Sequence, residues 1–359
     1  MTPPIVHVAS GREWRGGQRQ VWLLARQLGR LGADQVVVTG GDSELACRLK
    51  ASGVRVRPAS WRVGLDPRVT WPILDELRRG PAILHAHDAH ALSLGALCAA
   101  VTRAPLVVTR RVVFPLRHRF FWRRARRIIA ISNAVREALL AQGVDPERVI
   151  VIPSAVDLDS LSAGPTESLR HRLGLPGNGQ VVVSLGALTP EKDQLTLVAA
   201  AAQLVRDLPE LHWVLVGDGP LQARLKAQIA EKGLQSRFHL VGHMADPEQV
   251  LSGADLYVLS STSEGLGSSA LAAMALGIPV VATRVGGIPD LLGSGRGIMV
   301  EPQNPTAFAD AVRRILTDSE LRREVTHAAS QDLGRYSVSA MAERVLSVYR
   351  SCAHSHDGS

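Results

Sequence analysis

Short apolar runs alternate along this chain with longer stretches in which apolar residues recur every three or four positions. The runs are rich in Val and Ile, and each ends at small or polar residues. Continuous apolar runs of this length are typical of parallel strands that are buried on both faces. Those of the first half are IVHVAS (5–10), QVVVTG (35–40), AILHAH (82–87), PLVVTR (105–110), RIIAIS (127–132) and RVIVIPS (148–154).

The longer stretches predict helices between the strands. Residues 16–32 are the clearest case, because their apolar residues fall on one helical face and Gly32 provides a stop. The residues of that face are Val21, Leu24, Leu28 and Leu31.

The second half repeats the same alternation of strand and helix. Its predicted strands are VVVSLG (181–186), HWVLVGDG (212–219), HLVGHM (239–244), LYVLSS (256–261), IPVVAT (278–283) and GIMVEP (297–302).

This alternation predicts an α/β fold with two Rossmann-like domains, each built on a parallel sheet with right-handed crossovers. A chain of 359 residues is also too long for one ordinary core. We place the first domain at 1–160, a polar linker rich in Gly, Pro and Ser at 161–179, and the second domain at 180–333. An amphipathic helix follows at 334–352, and a polar tail at 353–359 is expected to be disordered.

Composition indicates a cytoplasmic protein. The amino terminus lacks the basic region and long apolar stretch of a signal peptide, and no apolar run reaches the length of a membrane span. The three cysteines are widely spaced and odd in number, which excludes a disulfide framework and fits a reducing compartment.

Charge is unevenly divided between the two halves. Residues 1–165 hold 24 Lys and Arg against 13 Asp and Glu, whereas residues 166–359 hold 17 against 20. A basic first half indicates an anionic partner such as nucleic acid, phospholipid headgroups or a phosphorylated acceptor.

The segment 256–290 carries the sharpest chemical pattern. A strand is followed by a loop with Glu264 and two glycines, and then by a helix that begins near Ser268. Glycines let the backbone approach a ligand closely, and the free N–H groups of a helix start favour a phosphate. Ser268 and Ser269 can cap this helix or contact the same anion. On spacing alone, an ordinary strand–turn–helix remains an equal alternative.

Several segments together resemble family 4 glycosyltransferases of the GT-B fold, in which two Rossmann-like domains face each other across a cleft. The likeness covers nearly the whole chain. The segments that carry it are WRGGQRQVWLLARQL (14–28), VSLGALTPEKD (183–193), LVGDGP (215–220), SEGLG (263–267) and GIPVVATRVGGIPD (277–290).

The resemblance implies roles for particular residues. Lys192 is expected to bind the pyrophosphate of a nucleotide-sugar donor, Glu264 the hydroxyls of its sugar, and Gly16 and Gly17 to form the loop under the reacting centre. Lys192 also makes independent sense as a point charge on a diphosphate. The remaining expected donor-binding residues are Gly217, Gly265, Leu266, Gly267, Ser268 and Ser269.

The family also implies retention of anomeric configuration, no metal and no cofactor, since the nucleotide-sugar is itself a substrate. The leaving diphosphate is expected to help deprotonate the acceptor hydroxyl. The protein then has to position the reactants and stabilise negative charge.

Three positions depart from the family pattern. The second Glu of the family's Glu-x7-Glu motif falls at Ala272, and the arginine that accompanies the phosphate-binding lysine falls at Ala187. Loss of a charge-assisted hydrogen-bond pair costs about 1.5–3 kcal/mol, or ten- to hundredfold in affinity. A histidine common on the acceptor side falls at Arg111. These departures leave open a non-catalytic homologue that binds a glycan or a partner enzyme.

The segment HAHDAH contains His85, His87, Asp88 and His90. It nearly matches the His-x-His-x-Asp-His ligand set of metallo-β-lactamase-like hydrolases, but its aspartate stands one place early, so we predict no metal site. We expect His87 to be catalytic, Asp88 and His90 to line the acceptor side, and His85 to turn into the sheet.

Arg110 and Arg111 directly follow a predicted strand. They are expected either to clamp an acidic acceptor or a phosphate, or to be ordinary surface arginines.

Residues 117–127, RHRFFWRRARR, combine six arginines with three aromatic residues. Such a segment could dock on anionic lipid, or form a helix with a buried aromatic face and a solvated basic face. We prefer docking at the inner face of the cell membrane. Nucleic acid is not expected as a partner, because no recognised RNA-binding motif accompanies the charge.

The sequence therefore predicts transfer of a sugar from a nucleotide-sugar to a hydroxyl of a cell-envelope or lipid-linked glycan. A nicotinamide-dependent oxidoreductase is a remote alternative, because neither half has Gly-x-Gly-x-x-Gly after its first strand.

Overall fold

A computed structural model of the chain describes residues 3–59, 61, 66–116, 119–158, 161, 169–175, 179–244 and 247–354. These residues form two compact units. One comprises Met1–Ala155 together with Arg335–Ser359, and the other comprises Val156–Gly334. Each unit is built on a parallel sheet, which confirms the predicted α/β class with two Rossmann-like domains. Most of the expected disordered tail, residues 355–359, lies outside the described residues.

The sheet of the first unit has the strand order β3-β2-β1-β4-β5-β6-β7, and its paired strands are all parallel. The chain moves outward in one direction from β1 and in the other from β4, so the strand order reverses between these two strands. Ligands of open parallel sheets bind beyond the carboxyl ends of the strands at such a reversal. The strands are β1 (Ile5–Val8), β2 (Gln35–Thr39), β3 (Arg55–Pro58), β4 (Ile83–Ala86), β5 (Leu106–Arg110), β6 (Arg127–Ala130) and β7 (Val149–Val151).

The sequence pattern identified six of these seven strands and missed β3. This strand, RVRP, lies at the edge of the sheet beside β2, and its residues are largely exposed. Because an exposed edge strand needs no continuous apolar run, the hydrophobic pattern gave no signal for it.

Helices flank this sheet. Helix α1 buries Leu23, Leu24 and Leu28, as its amphipathic pattern requires, but Leu31 lies beyond its end and is 49% exposed. The prediction that Leu31 belongs to the buried face is therefore wrong, because the helix ends one residue earlier at Arg30. The helices are α1 (Gly16–Arg30), α2 (Glu44–Ala51), α3 (Thr70–Leu77), α4 (Ala89–Thr102), α5 (Arg119–Arg124) and α6 (Asn133–Leu140).

The last helix of the chain, Val338–His354, belongs to the first unit. Its apolar face packs into the core that α1 and β1 also line, with Met341, Val345 and Tyr349 among the buried residues. At its surface, Gln27 of α1 donates a hydrogen bond to Ser339 at 3.2 Å.

The sheet of the second unit has the order β10-β9-β8-β11-β12-β13, again parallel throughout. Its order reverses between β8 and β11. The predicted strands of this half are confirmed, and they are β8 (Val181–Leu185), β9 (His212–Val216), β10 (Phe238–Gly242), β11 (Leu256–Leu259), β12 (Val280–Thr283) and β13 (Ile298–Val300).

The core of the second unit lies between the sheet and its helices and includes Trp213, Phe238 and Phe308. A short helix occupies part of the predicted linker. In chain order the helices are α7 (Leu169–Arg172), α8 (Gln194–Leu204), α9 (Gln222–Glu231), α10 (Ser268–Ala275), α11 (Ile288–Leu292), α12 (Pro305–Thr317) and α13 (Ser319–Gln331). The carboxyl-terminal helix of the first unit is α14 (Val338–His354).

Among the helices in the described part of the chain, none combines the length and apolar character needed to cross a membrane.

Candidate functional site

In the second unit, Lys192 and Glu264 meet at the reversal of strand order. Lys192 ends a short turn after β8, and Glu264 lies in the loop after β11. The Lys192 ammonium forms an ion pair and hydrogen bond with Oε1 of Glu264. The two side chains are 25% and 11% exposed, so the pair is accessible without being fully solvated. The structure thus brings together the two residues expected to bind the donor.

Two further hydrogen bonds join the loops that carry this pair, and a third lies within the Glu264 loop. Ser260 Oγ donates to the Lys192 carbonyl at 2.9 Å, and the Thr262 amide donates to the Glu191 carbonyl at 2.8 Å. Ser261 Oγ donates to Glu264 Oε1 at 2.8 Å. The carboxylate therefore has two donors and is held in one orientation.

The loop between β12 and α11 packs against the backbone of Glu264. The Gly287 amide donates to the Glu264 carbonyl at 3.2 Å. Gly286 has a φ of +51°, and a Cβ built there would lie 1.7 Å from the same carbonyl oxygen. Only glycine permits this approach, which gives a structural reason for the GGIPD segment.

Helix α10 begins directly after the Glu264 loop, and its amino terminus provides unpaired N–H groups for an anion. Its N-cap residue is Gly267, and no side chain caps it. The expectation that Ser268 or Ser269 caps the helix is therefore wrong. Ser269 instead accepts a hydrogen bond from the buried Tyr257 hydroxyl at 2.6 Å, whereas Ser268 is exposed.

Two other expected donor-binding residues have structural roles. Leu266 is 2% exposed, so its side chain belongs to the core and only its backbone can meet a donor. Gly217 has a φ of +143°, and a Cβ there would lie 1.9 Å from the Gly186 carbonyl oxygen. Its glycine is thus required where the turns after β8 and β9 touch.

The two alanines that depart from the family pattern lie close to this site in the chain. Ala272 is in α10 and is 3% exposed. Ala187 is partly exposed in the turn after β8, where its carbonyl accepts a hydrogen bond from Gln194 at 2.8 Å.

In the first unit, three histidines cluster near the reversal of strand order: His7 in β1, His85 in β4 and His87 directly after β4. The rings of His85 and His87 lie 4.0 Å apart, and that of His7 lies 5.2 Å from His87. His7 Nδ1 and His87 Nε2 share a hydrogen bond of 3.0 Å. His87 is only 4% exposed, so the histidine expected to be catalytic is part of a buried cluster, and its catalytic role remains a prediction.

His85 turns into the sheet, as the alternation of strand residues predicted. Its Nδ1 hydrogen-bonds the Tyr349 hydroxyl at 2.6 Å, and its Nε2 the Thr109 hydroxyl at 2.8 Å. The sequence analysis missed His7 and Tyr349. The sequence did contain a signal for each: His7 is a polar residue in the apolar run of β1, and Tyr349 is a polar residue on the apolar face of α14.

Burial keeps these imidazoles neutral. It lowers the pKa of His7 from 6.5 to about 4, against the opposing effect of the nearby Gln35 side chain. Burial, followed by the neighbouring histidines and Arg111, also lowers the pKa of His87 well below its usual value. The cluster is therefore uncharged at neutral pH.

Ligand atoms of His7, His85 and His87 lie within 4.8 Å of one another, close enough for a metal ion to be considered. However, His7 and His87 use one nitrogen each to bond one another, and both nitrogens of His85 contact hydroxyl groups. This arrangement is that of a hydrogen-bonded core, and the absence of a metal remains a prediction.

Asp88 holds local structure instead of presenting a free carboxylate to an acceptor. It is the N-cap of α4 and accepts from the Ala91 amide at 2.9 Å. It also accepts from the amide and the hydroxyl of Ser10, at 2.7 and 2.5 Å. Asp88 thus links the ends of β1 and β4, and its expected acceptor-side role remains a prediction. His90 is exposed on the first turn of α4.

The two arginines at the end of β5 differ in their surroundings. Arg110 donates to the Phe114 carbonyl and places its guanidinium 5.4 Å from the Trp122 ring centre. It therefore holds the following loop, and whether it also contacts a ligand remains a prediction.

Arg111, in contrast, makes no hydrogen bond or ion pair within the described ranges. Its Nε is buried and unpartnered. Its Cδ would lie 3.8 Å from a Cβ built at Gly17, so its stem lies over the loop where Gly16 and Gly17 begin α1.

The basic aromatic segment forms α5 and the start of β6. Trp122 is buried, but Phe120 is 69% exposed, and Arg119, Arg123 and Arg124 are exposed around it. The helix therefore does not bury all its aromatic residues. Residues 117 and 118 lie outside the described part.

Comparisons with known proteins agree with this geometry. The family described as Glycosyl transferases group 1 matches residues 165–332, and Glycosyltransferase Family 4 matches residues 14–160. The 2-deoxystreptamine glucosyltransferase of Streptomyces kanamyceticus is 32% identical to this chain, over 92% of the chain and 99% of the relative. A D-inositol 3-phosphate glycosyltransferase of Corynebacterium urealyticum is 31% identical, over 62% of the chain and 56% of the relative.

The same fold occurs in crystal structures of Anabaena Alr3699/HepE, in complex with UDP and with UDP-glucose. Each has a TM-score of 0.83 and 23% identity, and the match covers 97% of this chain and 100% of that one. The resemblance to glycosyltransferases is therefore confirmed over nearly the whole chain, and the oxidoreductase alternative is set aside. The chain belongs to glycosyltransferase family 4.

Proposed function

We propose that this glycosyltransferase takes its sugar from a nucleotide-sugar bound to the second unit. The observation that carries the proposal is the Lys192–Glu264 pair at the reversal of strand order, beside the amino terminus of α10. A cation and a helix start suit a diphosphate, and an oriented carboxylate suits sugar hydroxyls. UDP and UDP-glucose in the structures of Alr3699/HepE support this class of donor.

In the proposed reaction, the Lys192 ammonium and the first N–H groups of α10 stabilise the negative charge that develops on the leaving diphosphate. Glu264 accepts hydrogen bonds from the donor sugar and fixes its orientation. We further propose retention of configuration and no requirement for a metal, since these groups already supply positive charge. NMR of the product's anomeric centre and assays in EDTA test these two points.

Calorimetric titration of UDP, GDP, ADP and CMP, with their common sugar conjugates, tests the donor site. We expect saturable binding of one nucleotide and a ten- to hundredfold weaker affinity in Lys192→Ala. Lys226→Ala is the matched control, because Lys226 is exposed on α9 of the same unit. Equal affinities of the two variants would contradict the assignment of Lys192.

For the acceptor, we propose a hydroxyl of a cell-envelope or lipid-linked glycan. The net positive charge of residues 1–165 supports an anionic acceptor or carrier. The relatives' names point to 2-deoxystreptamine and inositol 3-phosphate, so small polyols are the competing class. Transfer of labelled sugar to a lipid-extractable product, compared with these two polyols, decides between them.

A peripheral position on anionic membrane is part of this proposal. Phe120 and the exposed arginines of α5 combine an apolar side chain with positive charge, as headgroup-level anchors do. Phe120→Ser should reduce sedimentation with phosphatidylglycerol vesicles, whereas Leu31→Ser, an exposed leucine of the same unit, should not. Binding that is equal for phosphatidylcholine vesicles would argue against an electrostatic surface.

A non-catalytic homologue is the second candidate, and Ala272 is the observation that favours it. The family's ribose-binding carboxylate would stand at this position, and alanine supplies no acceptor. Ala272→Glu should tighten nucleotide binding if the donor site is functional. An unchanged affinity in a folded Ala272→Glu protein would favour the non-catalytic candidate.

A further inference from the structure

His7, His85 and His87 lie side by side on one face of the first sheet. His7 pairs in register with His85, and His87 follows two positions later in the chain. All three rings are buried, and burial lowers the pKa of each below its usual value. A neutral imidazole carries one proton on one of its two nitrogens, so the position of that proton decides which nitrogen can accept a hydrogen bond.

The side chain of Gln35 determines where the proton of His7 lies. Gln35 Nε2 donates to the Ala25 carbonyl at 2.6 Å. Because a carbonyl only accepts, the amide nitrogen has to face Ala25, and Gln35 Oε1 is the atom left for other contacts. This side chain raises the pKa of His7, which is the effect of an acceptor oxygen near an imidazole N–H. A proton on His7 Nε2 is therefore favoured, and His7 Nδ1 is left without one.

His7 in turn determines where the proton of His87 lies. His7 Nδ1 and His87 Nε2 are 3.0 Å apart and share one hydrogen bond. Since His7 Nδ1 has no proton, it accepts this bond, and the proton belongs to His87 Nε2. The second nitrogen of His87, Nδ1, is then unprotonated and can act only as an acceptor.

No described group around His87 donates to its Nδ1, which is buried and without a hydrogen-bond partner. Both nitrogens of His85 contact hydroxyl groups, and the Asp88 carboxylate accepts hydrogen bonds from its own neighbours. Arg111 acts on His87 as a like charge and lowers its pKa. A buried acceptor without a donor is unfavourable. Because His87 follows β4 at the reversal of strand order, a ligand is placed to supply the donor.

We propose that His7, oriented by Gln35, is a positioning residue that keeps Nδ1 of His87 available to accept a hydrogen bond from a hydroxyl of the acceptor substrate. The inference rests on the proposed function in that the acceptor binds to the first unit. A hydroxyl that donates to this nitrogen has more negative charge on its oxygen, which favours its attack on the donor sugar. A proton at Nδ1 would instead compete with that of the hydroxyl.

The decisive experiment is NMR of the free protein labelled with ¹⁵N at histidine. Correlations between the ring protons and both ring nitrogens distinguish the two tautomers, because the unprotonated nitrogen resonates far from the protonated one. The signals of His87 are assigned by their loss in His87→Gln. We expect the Nε2–H form for both His7 and His87, and an Nδ1–H form of His87 would overturn the proposal.

Variants of His7 test whether it sets this tautomer. His7→Leu removes the acceptor, so His87 should show a mixture of forms or the Nδ1–H form. His7→Asn should preserve the Nε2–H form, because the amide oxygen can take the place of Nδ1. Tyr349→Phe is the matched control, since it removes a hydroxyl from the same cluster but from the His85 side. A tautomer of His87 that is unchanged in His7→Leu, or equally changed in Tyr349→Phe, would contradict the role of His7.

A kinetic measurement separates this inference from the proposed function. Labelled UDP-glucose is the donor, and the acceptor is the lipid extract or polyol that receives the label. His7→Leu should lower kcat/KM for the acceptor about tenfold with UDP affinity unchanged, and His7→Asn should restore most of the loss. Equal rates for the parent and His7→Leu proteins would overturn the positioning role. Failure of the parent protein to transfer sugar would count against the proposed function, and the tautomer of His87 would still decide the inference.

Discussion

In both sheets the strand order reverses once, but the side chains at the two reversals differ. In the second unit the cation and the carboxylate are already paired as Lys192 and Glu264, and their loops are joined by hydrogen bonds. In the first unit the corresponding position has neutral histidines, the hydrogen-bonded Asp88, and Arg111, whose Nε has no hydrogen-bond partner among the described residues. The two charged side chains of the second site are thus bonded to each other, whereas Asp88 in the first site is bonded to Ser10 and Ala91.

This difference has a physical consequence for binding. A donor that enters the second unit has to compete with an existing ion pair, so its binding energy reflects an exchange of partners. In the first unit, a ligand meets a guanidinium that makes no hydrogen bond to the other described residues, although Asp88 acts on its charge.

The largest expected effect is that of a substitution that displaces the backbone of the second site. Gly286→Ala places a methyl group 1.7 Å from the Glu264 carbonyl oxygen, so the loop has to move. We expect about 3 kcal/mol or more of lost unfolding free energy and loss of nucleotide binding.

Gly277→Ala is the control for this change. Gly277 also has a positive φ, of +71°, but a Cβ there meets nothing within 4 Å. Urea unfolding should show a cost of about 1 kcal/mol with nucleotide binding retained. Similar costs for the two variants would mean that contact with Glu264 is not what requires Gly286.

A smaller loss of unfolding free energy is expected when the Asp88 carboxylate of the first site is removed. Asp88→Ala removes an N-cap and two hydrogen bonds from Ser10, and should lower the unfolding free energy by about 2–3 kcal/mol. Asp318→Ala, an exposed N-cap in the second unit, should cost only about 1 kcal/mol. Chemical denaturation of the Asp88→Ala and Asp318→Ala variants measures both changes in unfolding free energy. Equal changes would show that Asp88 acts only as a helix cap.

The last expected effect is gradual, because it depends on pH and on the histidine cluster. The unfolded chain binds a proton at His7 below pH 6.5, whereas the folded protein does so only near its pKa of about 4. Stability from this residue is therefore complete above pH 6.5 and is lost as the pH falls toward 4, at on the order of 1 kcal/mol per pH unit.

Urea unfolding between pH 7 and 4.5 measures this slope. His7→Gln should make the slope shallower, because the variant has no proton to bind at this position. A slope that does not change in His7→Gln would assign the acid sensitivity to other groups.

Much of the fold follows from local pattern. Strands such as VVVSLG and LYVLSS are buried on both faces, so their composition alone marks them, and the glycines and charges that follow them mark the Lys192 and Glu264 loops. The edge strand β3 was not predicted, because an exposed strand does not need the continuous apolar run of a buried one.

The roles of neighbouring polar residues depended on contacts between distant parts of the chain. Arg110 and Arg111 are neighbours of the same residue type, yet Arg110 is bonded to Phe114, whereas Arg111 Nε has no partner in the described part of the chain. Tyr349 reaches His85 across 264 positions, and Asp88 is bonded to Ser10 across 78. The sequence by itself determined the two α/β sheets, because burial is encoded locally, and its resemblance to the family singled out Lys192 and Glu264. Only the tertiary structure decided which charges are satisfied, because partners are chosen by proximity in space.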